Sequence, residues 1–192
     1  MVFASGSGTN FQAILNAVEA GQIPARVTGL IASKRGIRAI ERAKNHGVPY
    51  LVLKEKDFSN SDRYVQALLD QLKTWNAGLL VLAGFLKKVP SEIIHHYEGN
   101  ILNLHPSLLP KYGGKGYFGK RVHEAVIENG EPETGVTIHL VNEEYDDGPI
   151  LAQEKVDIRP DDTPESLAKR IHQVEYELYP RVIAEVAERM NI

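Results

Sequence analysis

A chain of 192 residues is long enough to bury one substantial core, and its 43% hydrophobic and 24% charged residues are the make-up of an ordered globular protein. The absence of cysteine excludes disulfides, thiolate metal sites and thiol nucleophiles, and a net charge of −3 without any Lys/Arg block argues against broad electrostatic binding to nucleic acid. No apolar run reaches the ~18 to 20 residues that span a bilayer, and no basic segment leads into a hydrophobic one, so the chain reads as soluble, not exported and cytoplasmic, with neither a membrane nor nucleic acid as partner.

The first predicted strand, Val2–Ala4, is unusually short and runs at once into the glycine-rich turn Ser5-Gly6-Ser7-Gly8-Thr9-Asn10, which leaves open whether residues precede Met1. Further strands are expected at Val27–Ala32, Tyr50–Leu53, Gly78–Leu82 and Asn100–Leu104, alternating with helices at Asn10–Ala20, Ile37–His46, Ser61–Trp75 and Ser91–Tyr97. Such alternation argues for βαβ units and a largely parallel sheet. Four glycines within Gly113–Gly119 mark a flexible loop before a helix near Val122–Glu128. Two strands then follow in succession, Gly135–Val141 and Ile150–Val156, joined by the acidic turn Glu143–Gly148; a short connection favours an antiparallel pair and hence a mixed sheet. Thr163 is a good N-cap and Pro164 a good first residue for a last helix reaching about Met190, with Leu167, Ile171, Val174 and Leu178 at helical spacing. No repeat or linker interrupts the pattern. The expected fold is a single α/β, Rossmann-like domain over residues 1–192, its mixed, mostly parallel sheet flanked by helices.

Three segments carry polar groups placed for chemistry. A glycine turn between a first strand and a first helix offers free N–H groups and the positive end of a helix to a phosphate. The dinucleotide fingerprint fails here, because Phe11 stands where a third glycine is needed and the second strand runs into Ala32-Ser33-Lys34-Arg35 without an acid; the lysine of a P-loop is missing too. A single phosphate held by the backbone, with Thr9 and Asn10 adding side-chain bonds, is one reading, and an ordinary glycine turn is the other.

Asn103 and His105 are two residues apart at a strand end, so both project from one face of the sheet, and Pro106 stops the ladder after them. A neutral donor beside a titratable ring suits an oxyanion and a moving proton; alternatively the pair caps a proline turn. In Asp146-Asp147-Gly148-Pro149, preceded by Glu143 and Glu144, a carboxylate near His105 would raise the imidazole's pKa and keep it protonated, although acidic turns are commonly just solvated. His139 reads as a core histidine.

Together these segments resemble the folate-dependent phosphoribosylglycinamide formyltransferases of purine biosynthesis, whose substrate is glycinamide ribonucleotide. The resemblance covers nearly the whole chain, through Ser5-Gly-Ser-Gly-Thr-Asn10, Leu82-Ala-Gly-Phe85, Asn103-Leu-His-Pro-Ser-Leu-Leu-Pro110, Asp146-Asp-Gly-Pro149 and Glu175 to Tyr179-Pro180. It implies a formyltransferase-type fold and 10-formyltetrahydrofolate as co-substrate, with no metal. Residue by residue, it implies Asn103, His105 and Asp146 as catalytic groups. It implies Gly8, Thr9, Asn10, Ser107, Lys111, His172 and Glu175 on the ribonucleotide. Arg63, Leu86, Lys87, Lys88, Val89, Asn103, Leu140, Asn142, Glu143 and Glu144 would line the folate site. The chain departs from the family at Tyr112–Lys120, which is longer and richer in glycine, and at Asp147, where glycine is commoner. The resemblance leaves open a monomer or a homodimer. Other readings are a formyltetrahydrofolate hydrolase, a methionyl-tRNA formyltransferase-like enzyme, or a non-catalytic phosphosugar-binding module. The loop Gly113–Gly119 is expected to be mobile and to close over the ribonucleotide.

Overall fold

The structure is a computed structural model that describes residues 1–190. In chain order its elements are β1 (Val2–Ala4), α1 (Thr9–Glu19), β2 (Leu30–Ala32), α2 (Arg38–Asn45), β3 (Tyr50–Val52), a 3₁₀ turn at Glu55–Asp57, α3 (Ser61–Thr74), β4 (Leu80–Leu82), α4 (Ser91–His96), β5 (Ile101–His105), α5 (Lys120–Glu128), β6 (Glu133–Leu140), β7 (Ile150–Asp157) and α6 (Pro164–Met190). The strands form one seven-stranded sheet in the order β3-β2-β1-β4-β5-β6-β7. The first five pair in parallel, and β6 and β7 add an antiparallel extension. The chain winds outward from β1 to β3, then returns to β4 on the other side of β1, so the order reverses between β1 and β4. Ligands of open α/β sheets bind at such a reversal, beyond the C-terminal strand ends.

The apolar runs place the core on both faces of the sheet. Phe11, Leu15, Leu102, Leu167, Ile171 and Tyr179 belong to one buried cluster, and Phe3, Ile31, Leu68, Leu72, Leu80 and Ile93 to the other. Tyr179 is fully buried, and its hydroxyl lies 3.1 Å from the carbonyls of both Leu82 and Leu102, which fastens α6 to β4 and β5. Burying a phenol without a partner is costly, so this contact fixes the rotation of α6 over the sheet as well as satisfying the hydroxyl. Thr163 caps α6 as its sequence indicates, with Thr163 Oγ1 accepting from the Ser166 N–H at 3.1 Å and Ser166 Oγ accepting from the Thr163 N–H at 3.0 Å.

β2 and β4 begin at Leu30 and Leu80, later than their apolar runs. The ladder is limited by β1, whose three residues give partners only to Leu30–Ala32 and to Val81 and Leu82. β5 runs one residue further than its apolar pattern, because β6 pairs His105 with Thr137. Two glycines are dictated by close approach. Gly8 has φ 69°, and a Cβ there would lie 2.8 Å from the Cα of Ala39, so α2 packs directly on the turn before α1. At Gly148 a Cβ would lie 1.8 Å from the Leu140 carbonyl, so only glycine lets the acidic turn fold back onto the end of β6. No helix among the described residues is long and apolar enough to cross a membrane.

His123 on α5 is buried with no partner for Nδ1, and burial, with His172 and His105 adding to it, lowers its pKa to about 4. A histidine whose folded value lies below its unfolded one stabilises the fold above the unfolded value, and that stability is lost as pH falls from 6.5 towards 4. The stability lost between about pH 7 and about pH 4, measured by urea titration, is therefore expected to be smaller in His123→Asn by on the order of 3 kcal/mol; an equal loss in both proteins would contradict this.

Candidate active site

A cleft of about 470 Å³ opens where the strand order reverses. Each wall comes from a different element: the turn Gly6–Asn10 after β1, the segment Leu82–Val89 after β4, Asn103–Pro106 at the end of β5, the glycine loop at 114–119, the turn 141–146 after β6, and His172 and Glu175 on α6. The i, i+2 spacing does put Asn103 and His105 on one face, while Leu104 between them is buried with the core. The antiparallel register then sets His139 of β6 directly opposite Asn103.

The Asp146 carboxylate joins these groups. Its Oδ1 lies 3.3 Å from Asn103 Nδ2 and 3.6 Å from His139 Nε2, while Oδ2 accepts from the Gly114 N–H at 2.9 Å and lies 3.4 Å from His105 Nδ1. Asn103 Nδ2 also donates to His139 Nε2 at 3.0 Å, and His139 Nδ1 faces the Leu140 carbonyl at 2.8 Å. A carbonyl can only accept, so His139 carries its proton on Nδ1 and receives the Asn103 amide on Nε2. His105 Nε2 in turn donates to the Tyr112 carbonyl at 2.7 Å. Both residues that deliver groups from the loops take left-handed backbone, Tyr112 and Asp146 each with φ 56°, a conformation costing roughly 1–2 kcal/mol for an L-residue. Asp147, the alternative carboxylate, is exposed and makes none of these contacts.

Burial is the strongest influence on both His105 and Asp146. It lowers the His105 pKa below 6.5, outweighing the Asp146 carboxylate and the Tyr112 carbonyl, which favour the protonated ring. For Asp146, burial raises the pKa, but the neighbouring His105 and the Gly114 N–H help to hold the carboxyl below its ordinary value. The resting site is thus an ionised Asp146 beside a neutral His105. The expectation that Asp146 keeps His105 protonated is corrected, because desolvation of the ring exceeds the attraction of the carboxylate.

At the other end, Asn10 Nδ2 donates to the buried Glu175 carboxylate at 2.8 Å, while Asn10 Oδ1 is buried without a partner. Burial raises the Glu175 pKa, against the pull of Asn10 and of His172 one turn before it. An orphaned acceptor beside a carboxyl is a fitting place for a ligand's hydroxyl groups. Leu86, Lys87, Lys88 and Val89 form the opposite wall with Ile94 and Val141; the Leu86 N–H is fixed by Ser5 Oγ at 2.9 Å, and Lys88 sits 5.7 Å over the Tyr145 ring. Asn142, Glu143 and Glu144 line the same end.

Four expected site residues lie elsewhere. Arg63 lies in the exposed first turn of α3, away from the cleft wall, and its backbone N–H is held by the N-cap Asn60. Ser107 is buried and its hydroxyl donates to the Lys111 carbonyl at 2.6 Å. Lys111 Nζ pairs with Glu131 at 2.9 Å outside the cleft. Leu140 contributes its carbonyl to His139 instead of a side chain to the cleft. His139 is corrected in the other direction: it is buried, but as a polar partner of Asn103 facing the cleft. The Tyr112 carbonyl and the Gly114 N–H are backbone groups that side-chain motifs do not report. Among the described residues, no group of three or more His, Asp or Glu side chains is arranged to hold a metal ion.

By NMR titration His105 is expected to change protonation below 6.5 in the free protein, and lower still in Asp146→Asn, which removes the charge that favours the protonated ring. A value above 6.5 in the free protein would show that the carboxylate, and not burial, governs the ring.

Comparison with known proteins places the chain in a family. The chain is similar to the chloroplastic phosphoribosylglycinamide formyltransferase of Arabidopsis thaliana, at 42% identity over 97% of this chain and 64% of the relative. It is also similar to the phosphoribosylglycinamide formyltransferase of Haemophilus influenzae, at 41% identity over 95% of this chain and 84% of that one. It therefore spans a little under two thirds of the plant relative's length and most of the bacterial one's. The crystal structure of phosphoribosylglycinamide formyltransferase from Bacillus halodurans superimposes with a TM-score of 0.91 at 40% identity, covering 98% of this chain and 95% of that one. The family model described as formyl transferase matches residues 1–183, and the chain belongs to that family.

Proposed function

We propose that the protein transfers the formyl group of 10-formyltetrahydrofolate to the primary amine of glycinamide ribonucleotide, as a cytoplasmic enzyme. The observation that carries this reading is the convergence of Asn103 and His105 on Asp146, at 3.3 and 3.4 Å, between a glycine turn fit for a phosphate and an apolar wall fit for a pteridine. The ribonucleotide's phosphate would sit on Gly8, Thr9 and Asn10, and its ribose hydroxyls would meet Glu175, the free Asn10 Oδ1 and His172. The folate would lie along Leu86–Val89 and the turn at 142–146, its glutamyl carboxylates near Lys87 and Lys88.

The chemistry follows from the resting charges. The amine nitrogen attacks the formyl carbon, giving a tetrahedral oxyanion beside Asn103 and His105. Asn103 spans its partners at 3.0 and 3.3 Å, and the longer contact, to Asp146, is the one whose hydrogen turns to the oxyanion. His105 is neutral at rest, its one N–H on the Tyr112 carbonyl; as negative charge grows, the proton that the amine gives to Asp146 is drawn onto His105 Nδ1, 3.4 Å from Oδ2, so the ring is a charged donor in the transition state and not in the free enzyme. The ionised Asp146 accepts the proton lost by the amine. The bond from carbon to N10 then breaks, and N10 takes a proton back as tetrahydrofolate leaves, so no proton is gained or lost overall. No covalent link to the enzyme is required.

Spectroscopic assay with formyltetrahydrofolate is expected to show consumption only when the ribonucleotide is present. Consumption without it would mean hydrolysis of the cofactor, and none in either case would mean a binding module. Asn103→Ala or His105→Ala is expected to lower turnover by about 100- to 1,000-fold while ribonucleotide binding survives. Near-normal turnover in either variant would refute the role given to that side chain.

A further inference from the structure

We infer that Arg42, on α2, is a positioning residue for the phosphate turn: it orients a peptide of the turn so that the N–H groups face the anion. The inference rests on the reading of Gly8–Asn10 as the phosphate site. Two carbonyls of the turn are held by α2, that of Gly6 by the Ala39 N–H at 3.3 Å and that of Ser7 by Arg42 Nε at 3.0 Å. In a trans peptide the carbonyl and the following N–H point in opposite directions, so holding these two carbonyls turns the N–H groups of Ser7 and Gly8 away from α2. Gly6, Ser7 and Gly8 line the cleft, and neither N–H finds an acceptor among the described residues. Gly8 follows immediately, in left-handed backbone that a glycine leaves easily, so this peptide needs an external hold.

Arg42 is itself held by a chain of hydrogen bonds running along α1 to His46. Arg42 Nη1 donates to Gln12 Oε1 at 2.8 Å. The Gln12 amide donates to Asn16 Oδ1 at 2.8 Å and to His46 Nε2 at 2.9 Å. His46 Nδ1 donates to the Glu19 carboxylate at 2.5 Å. The ring is therefore fixed in the Nδ1–H form that leaves Nε2 free to accept. Two helices thus brace one guanidinium, and the guanidinium braces one peptide of the turn. Charge alone does not require this arrangement, since an arginine serving only as a counter-ion has no need of a carbonyl partner within the turn.

The test separates phosphate binding from the rest of the reaction, using calorimetry with ribose 5-phosphate and with tetrahydrofolate beside steady-state kinetics on the full chain. Arg42→Ala is expected to weaken ribose 5-phosphate, and to raise KM for the ribonucleotide, by about tenfold to 100-fold, with tetrahydrofolate affinity unchanged and kcat near that of the parent. Arg42→Lys, which keeps the charge on one donor nitrogen, is expected to recover part of the loss. Gln12→Ala, which leaves Arg42 in place but unbraced, is expected to fall between the parent and Arg42→Ala. Unchanged ribose 5-phosphate affinity in Arg42→Ala overturns the inference, as does an equal loss of tetrahydrofolate, which would mean general damage. If the parent transfers no formyl group yet Arg42→Ala still loses ribose 5-phosphate, the activity is misread and the positioning role stands.

Discussion

One carboxylate organises the centre of the molecule. Asp146 meets Asn103 and His105 from β5, His139 from β6 and the Gly114 N–H from the glycine loop, each within 2.9–3.6 Å. A half-buried charge with fewer partners would shift towards its neutral form, because desolvation is the strongest single influence on it; here the contacts outweigh burial and the group stays ionised. The same burial acts on His105 without an equal compensation, so the ring stays neutral. Two groups 3.4 Å apart are thereby pushed into different roles, a base that is charged at rest and a donor that becomes charged only when an anion forms beside it.

Backbone features far apart in sequence hold that arrangement. The antiparallel addition of β6 places His139 across from Asn103, on the side away from Leu82 of the parallel neighbour β4. Gly148 lets the acidic turn fold back on β6, and the left-handed backbone at Asp146 aims its side chain inward. Tyr179 binds α6 to the carbonyls of Leu82 and Leu102, and so sets Glu175, one turn earlier on α6, over the phosphate turn. Packing on both faces of the sheet supplies stability, whereas these few polar contacts supply position.

Much of this was legible in the residues. Alternating apolar runs and amphipathic segments give the parallel half, the short acidic connection gives the antiparallel pair, and the period of two along β5 puts Asn103 and His105 side by side. What the residues do not report is register and backbone. Nothing local in Gly135–Val141 says which residue faces Asn103, so His139 reads as core until the pairing is known. The Tyr112 carbonyl and the Gly114 N–H are invisible to any motif of side chains. Ser107 and Lys111 follow the apolar run closely enough to suggest ligand contacts, but the chain turns after Pro106 and spends their polar atoms on Lys111 and Glu131. Arg63 fails for a similar reason, since proximity in sequence to a helix start does not fix which way that turn of helix faces.

The division of labour within the site turns on the ionised state of Asp146, and the most direct measurement is the single-turnover rate of formyl transfer in Asp146→Asn, taken with the affinities for both substrates. The amide keeps the shape and can still accept from Gly114, but it cannot take the amine's proton, so the rate is expected to fall by about 100- to 10,000-fold with both affinities retained. A rate near that of the parent protein would contradict the account, because the proton would then leave by a route that does not use this carboxylate.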